Sequence, residues 1–269
     1  MNRLFLTTVL ICFVLFNGGC RNRATSKSND SGNMIKESSS LYGYNKQFLS
    51  GHVEIIELKR DSSAIILVPA WQGRVMTSTS SGDNGYSYGW INRSLISEGR
   101  IQPHINAFGG EERFWLGPEG GQYSIFFAGG KEFTFENWQT PPFIDTMPYE
   151  VESVTDSTVT FRASAELVNY SGSVFKIMAG RKVTLLTGRD LKENTGVDAE
   201  GLEFVAYRSD NSITNTGSNA WKKETGLLSV WMLGMFNPSP SVTVVIPVRG
   251  GDKEISGPMV NDDYFGSIS

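Results

Sequence analysis

From residue 47 onward, hydrophobic and polar positions change over every few residues, with turn-forming residues between short apolar runs. Residues 52–58 alternate imperfectly, Asp61-Ser62-Ser63 turns the chain, and residues 64–68 are continuously apolar. That pattern predicts a hairpin whose second strand is covered on both faces. His52 has no chemical neighbours in the sequence and reads as a strand-edge residue. Residues 71–78 predict a strand opened by Gly73. After the Asp83-Asn84-Gly85 turn, Tyr86, Tyr88 and Trp90 alternate, so they share one face of a strand, more often a core face than a stacking platform for sugar rings. Further strands are predicted at 123–127, 151–154, 158–163, 175–178, 182–186, 202–208, 227–233 and 242–248. Between them lie an aromatic loop at 133–142, which carries Trp138, and a polar loop at 209–220. No sustained helical period and no fixed repeat interrupts this rhythm. The expected fold is all-β: one domain of two large antiparallel sheets packed as a sandwich.

Composition narrows the picture. Among 269 residues, 29 are glycine and only 19% are charged, with abundant Ser, Thr and Val, which suits sheets better than long amphipathic helices. The net charge of −4 without any Lys/Arg cluster argues against a nucleic-acid partner, because phosphate binding needs concentrated positive charge.

The N-terminus departs from the rest. Arg3 gives a positive start, residues 4–16 are apolar, and Gly18-Gly19 precede Cys20. This run is shorter than the roughly 20 residues of a spanning helix and reads as a secretory leader. Small residues directly before a cysteine resemble a bacterial lipobox, with Asn17 where leucine is usual. Residues 1–19 are therefore expected to be a lipoprotein signal peptide and Cys20 the lipidation site, which places the chain on a membrane of the cell envelope through its acyl chains. The other cysteine, Cys12, lies inside the leader, so the mature domain has no disulfide to rely on. Residues 20–45 comprise this cysteine and a Ser-, Asn-, Lys- and Gly-rich segment that reads as a flexible tether, leaving 46–269 as the folded domain. Residues 259–266 read as the start of further structure, from which a chain shortened relative to its full fold is expected.

Chemistry concentrates at residues 101–127, IQPHINAFGGEERFWLGPEGGQYSIFF. The stretch holds His104, one of two histidines, with Asn106, Glu111, Glu112, Arg113, Glu119 and Trp115, the last expected at the surface. Carboxylates, amides and aromatics among glycines suit a polar, uncharged ligand such as a sugar; the same residues also suit an irregular loop whose charges pair with one another. No metal or cofactor set emerges. Glu111, Glu119 and Asp262-Asp263 offer hard oxygen ligands without the spacing of a known loop, and residues 117–121 lack the Lys-Ser/Thr of a nucleotide loop. Ser124 has no histidine near it in sequence.

Several motifs occur in a familiar order: Gly-Arg-Val-Met at 73–76, Asn-x-Phe-Gly-Gly at 106–110, Asn-Thr-Gly at 215–217, and an apolar strand ending Met235-Phe236-Asn237. Over residues 46–266 this order resembles the galactose mutarotase superfamily of aldose 1-epimerases. GGEERFWLGPEGGQYSIFF is similar to an uncharacterised group of bacterial lipoproteins of that superfamily. The resemblance implies a β-supersandwich with a carbohydrate cleft on its concave face. The polar and aromatic density of the central stretch puts Asn106, Glu111, Glu112, Arg113, Trp115 and Glu119 in that cleft, with Arg74 and Trp138 as further sugar contacts. The resemblance also implies ring opening by a histidine acid and a carboxylate base. The superfamily's histidines, however, are replaced here by Phe108 before Gly109-Gly110 and by Leu233. His104 as acid, with Glu111, Glu112 or Glu119 as base, is the remaining catalytic set. Three readings follow: a lipid-anchored protein that binds or processes carbohydrate, an active epimerase or lyase-like enzyme, and a structural envelope protein.

Overall fold

The computed structural model of the protein describes the backbone of residues 3–12 and residues 39–247 in full. Cys20, most of the expected tether and residues 259–266 lie outside the described residues. The chain forms an antiparallel β protein with short helices. In order, the elements are β1 (Arg3–Cys12), α1 (Tyr42–Ser50), β2 (Ile56–Arg60), β3 (Ser63–Val68), β4 (Arg74–Thr79), α2 (Arg93–Glu98), β5 (Arg113–Gly117), α3 (Pro142–Asp145), β6 (Glu150–Val154), β7 (Thr158–Val168), β8 (Val174–Leu185), α4 (Gly188–Thr195), β9 (Val205–Asn215) and β10 (Ser229–Leu233). They make a five-stranded sheet ordered β1-β9-β8-β7-β6, a three-stranded meander β2-β3-β4 and the pair β5-β10.

The predicted first hairpin is β2–β3, closed by Asp61 with φ of 52°. Its second strand is covered on both faces for a specific reason. Ile65 and Leu67 enter the main core with Phe114, Phe161 and Ile177, whereas Ala64, Ile66 and Val68 enter a second core under Tyr42 and Leu49 of α1. A period-two strand with apolar residues at every position has two faces to hide, and the sheet supplies one cover and α1 the other. Residues 42–45, included in the expected tether, are thus the first turn of α1, with Tyr42 and Asn45 fully buried.

Other boundaries differ from expectation. The strands expected at 175–178 and 182–186 merge into one, β8, which ends at Leu185 and whose alternation runs on through Gly180. Residues 209–215, expected in a polar loop, continue β9, because Ser209 and Asn211 find buried partners. Residues 86–91 make only isolated bridges, although Tyr88 is core as its alternation suggests. Residues 123–127 are irregular, and the strand of that region is β5 instead. Residues 242–247 form no strand, leaving Val244, Val245 and Ile246 exposed. The apolar stretch of the expected leader lies antiparallel along β9, with Arg3 opposite Thr214 and Cys12 opposite Val205. No helix among the described residues is long and apolar enough to cross a membrane.

Gly73 turns the chain into β4 with φ of +60°, and a Cβ there would stand 2.6 Å from the Phe161 ring. Gly73→Ala is expected to destabilise the fold by roughly 1–3 kcal/mol through combined backbone strain and overpacking. The midpoint of urea unfolding, followed by tryptophan fluorescence, checks this.

Candidate functional site

The central stretch folds around buried charge. Glu111 and Glu112 precede β5, Arg113 opens it, and all three are at most 1% exposed. Glu112 faces Arg181 of β8 in a two-pronged ion pair through the two terminal guanidinium nitrogens, Nη1 at 2.9 Å, and accepts a further bond from Ser209 Oγ at 2.9 Å. Arg181 also donates to Gly73 O at 3.1 Å and to Asn211 Oδ1 at 2.8 Å. Arg113 reaches the other way, donating to Asp145 Oδ1 at 2.8 Å and Ile144 O at 3.0 Å. Its guanidinium lies 4.2 Å from the centre of the Trp115 ring, close enough for a cation–π contact.

Arg74 of β4 completes the cluster without a carboxylate of its own. It donates to Gly109 O at 2.9 Å and Gln72 Oε1 at 3.0 Å. Desolvation holds its pKa well below the usual arginine value, reinforced by the charge of Arg113. Arg113 is lowered by desolvation to about 10, with Asp145 opposing the shift. Glu111 moves in the other direction. Burial raises it to about 7, although Ser78 N–H, Ser78 Oγ at 2.8 Å and Tyr207 OH at 3.4 Å all stabilise its charged form.

The Gly109-Gly110 pair explains itself here. Both have positive φ, 97° and 115°; a Cβ on Gly109 would meet Trp90 O at 2.2 Å, and one on Gly110 would meet Arg74 Cδ at 2.6 Å. The motif lets two backbone segments and a buried arginine share one space.

A cavity of about 340 Å³ opens beside this cluster, between residues 101–106, residues 139–146 and the end of β7. Its volume is at the low end of the roughly 300–1,000 Å³ usual for small-molecule sites. Asn106 and Asp145 line it and are tied together: Asn106 N–H reaches Asp145 at 3.1 Å and its Nδ2 at 2.8 Å. Gln102, Gln139, Thr140 and Thr146 add amides and hydroxyls, and Pro103, Pro141 and Pro142 add flat apolar surface. His104 and Trp138 stand next to this lining. Thr140 N–H donates to His104 O at 3.0 Å, His104 Nδ1 bonds Trp138 O at 2.7 Å, and Trp138 Nε1 donates to Thr140 Oγ1 at 2.8 Å.

The expected site residues therefore divide. Asn106 lines the cavity, His104 and Trp138 support its wall, and Arg113 stands behind Asp145. Arg74, Glu111 and Glu112 are enclosed in the interior. Trp115, expected at the surface, is 2% exposed; it stacks on Phe126 and its Nε1 donates to Glu119 Oε1 at 2.7 Å. The reason is chemical: Arg113 and Trp115 share a face of β5, and burying them leaves the cation and the indole N–H each with a partner. Sequence reasoning missed Asp145, Arg181, Ser209, Asn211 and Gln139. For Arg181 a signal existed, since it occupies the inward register of β8 with Ile177, Ala179, Val183 and Leu185. Among the described residues, no three His, Cys, Asp or Glu side chains gather as a metal-binding group.

Fold and site together define an antiparallel β-sandwich protein with an ionic interior and a small polar cavity. The chain belongs to a family of unknown function (DUF6786), whose model matches residues 40–269. No curated protein and no solved structure matches it.

Two outcomes test the buried cluster. Arg181→Ala is expected to cost about 3–5 kcal/mol, because it strands Glu112 in the interior, whereas Arg181→Met combined with Glu112→Leu restores most of that loss; chemical denaturation of both variants distinguishes them. Glu111 supplies a pH dependence. Its proton leaves the unfolded chain near 4.5 but stays in the fold until about 7. Its contribution is thus complete below 4.5 and is lost as pH rises through 7, by up to roughly 3 kcal/mol. Glu111→Gln keeps that contribution, so the stability of the variant relative to wild type should rise between pH 5 and pH 8 in parallel urea titrations.

Proposed function

We propose that this is a lipid-anchored cell-envelope protein that binds carbohydrate in the cavity beside Asn106 and Asp145, on a sandwich of the galactose mutarotase type. The observation that carries the reading is the lining itself. Amides, hydroxyls and a carboxylate converge over flat apolar surface, the combination that meets ring hydroxyls with hydrogen bonds and ring C–H faces with dispersion. Asn106 and Asp145 are held by each other and by Arg113, so their orientation is set before a ligand arrives and little is lost in ordering them. The lipid anchor rests on Gly18-Gly19-Cys20, and the mutarotase likeness on the order of motifs from Gly73 to Asn237.

Epimerase chemistry is the second reading. His104 is favoured for it by position, with its ring fixed at Nδ1 beside the cavity. The carboxylates paired with it by sequence are otherwise engaged, Glu111 by Ser78 and Tyr207, Glu112 by Arg181 and Glu119 by Trp115. Binding without turnover accordingly stands first.

Calorimetric titration of the full chain with a panel of neutral mono- and disaccharides tests the proposal. Binding of at least one sugar is expected, weakened tenfold or more by Gln139→Ala and by Asn106→Ala. Saccharide binding unaffected by both variants would place the site elsewhere, and anomer interconversion abolished in His104→Ala would promote the enzyme reading.

A further inference from the structure

The charge around the cavity is one-sided. Asp145 and Glu166 line it, and no lysine or arginine does so among the described residues. The two carboxylates differ in what faces them. Asp145, 3% exposed, meets Arg113 at 2.8 Å and the N–H groups of Asn106, so its charge is already compensated within the fold. Glu166, on β7, is more than half exposed, and among the described residues its ion pair is with Lys176 Nζ of β8 at 3.6 Å, itself 61% exposed. Ion pairs of that kind are weak and easily exchanged, because both side chains are solvated and lose rotamer freedom in the pair. The rim therefore carries a carboxylate available to a ligand, over a floor whose buried charges already cancel.

We propose that the cavity selects saccharides bearing a basic amino group, with the ammonium paired to Glu166 while ring hydroxyls meet Gln139 and Asn106, and that it rejects uronic acids. The inference rests on the carbohydrate reading above and adds the chemical class of ligand. A carboxylate on the ligand would enter beside two carboxylates with no cation on the lining to receive it, whereas an ammonium replaces the loose Lys176 contact with one partly shielded by the cavity wall. Selectivity of this origin is modest and screened by salt.

Titration of the full chain with glucosamine, N-acetylglucosamine and glucuronate tests it, because the first two share a ring and differ in the charge on nitrogen. Glucosamine is expected to bind about three- to tenfold more tightly than N-acetylglucosamine at low ionic strength, with the gap closing in about 0.5 M salt, and glucuronate not to bind. Glu166→Gln should remove the preference by weakening glucosamine to the level of N-acetylglucosamine, and Lys176→Ala should widen it by freeing Glu166. Equal affinity for the two hexosamines, a preference surviving Glu166→Gln, or tight binding of glucuronate overturns the inference and leaves the carbohydrate reading standing. Failure of every saccharide to bind a sample that melts cooperatively overturns both.

Discussion

Among the described residues the guanidinium groups of Arg74, Arg113 and Arg181 are buried, and the requirement that each find hydrogen-bond partners without water governs how the sheets meet. Burying an uncompensated charge costs several kcal/mol, so the geometry around Arg74, Arg113 and Arg181 has little freedom. Arg181 brings β8 of the large sheet to Glu112 at the start of β5. Arg113 brings β5 to the end of α3, and Arg74 brings β4 to the Gly109-Gly110 turn. Apolar packing alone would let these layers slide or rotate; directional bonds between charged groups fix their register. That is specificity more than net stability, since desolvation consumes most of the electrostatic gain.

The cavity inherits its shape from this arrangement. Asp145 belongs to both worlds: its carboxylate answers Arg113 on one side and lines the cavity with Asn106 on the other. Anything that repositions α3 changes the interior electrostatics, and anything that disturbs the ionic cluster moves the cavity floor. The site is thus an outgrowth of the core, which is why its buried polar side chains are rigid while the rim, at Gln139 and Glu166, is free to adapt.

Alternation along single strands was legible in the sequence: the β2–β3 hairpin, the two-faced burial of residues 64–68 and the antiparallel rhythm all follow from period-two patterns. What that pattern cannot convey is pairing between distant segments. Glu112 and Arg181 are 69 positions apart, and nothing local marks either as the other's partner. The same blindness turned Ser209 and Asn211 into loop residues, because polarity in a strand looks like exposure until the buried partner is known. Conversely, the density of charge at 101–127 was read as a cleft when most of it is interior. Short polar-capped helices escaped for a different reason: α4 is held by a Thr187–Asp190 capping box rather than by a long apolar stripe. Asn106 and His104 stand at or beside the cavity where the chain is irregular, and irregular backbone tends to lie at a surface.

One edge of the large sheet has a history as well as a structure. Ten residues, Arg3–Cys12, run along β9 and satisfy its outer row of backbone groups, and these are the same residues that read as a leader. A strand border left open recruits whatever extended chain is nearby. Loss of Arg3–Cys12 would therefore alter the sheet itself, turning β9 from an inner strand into an open border that any extended chain could complete.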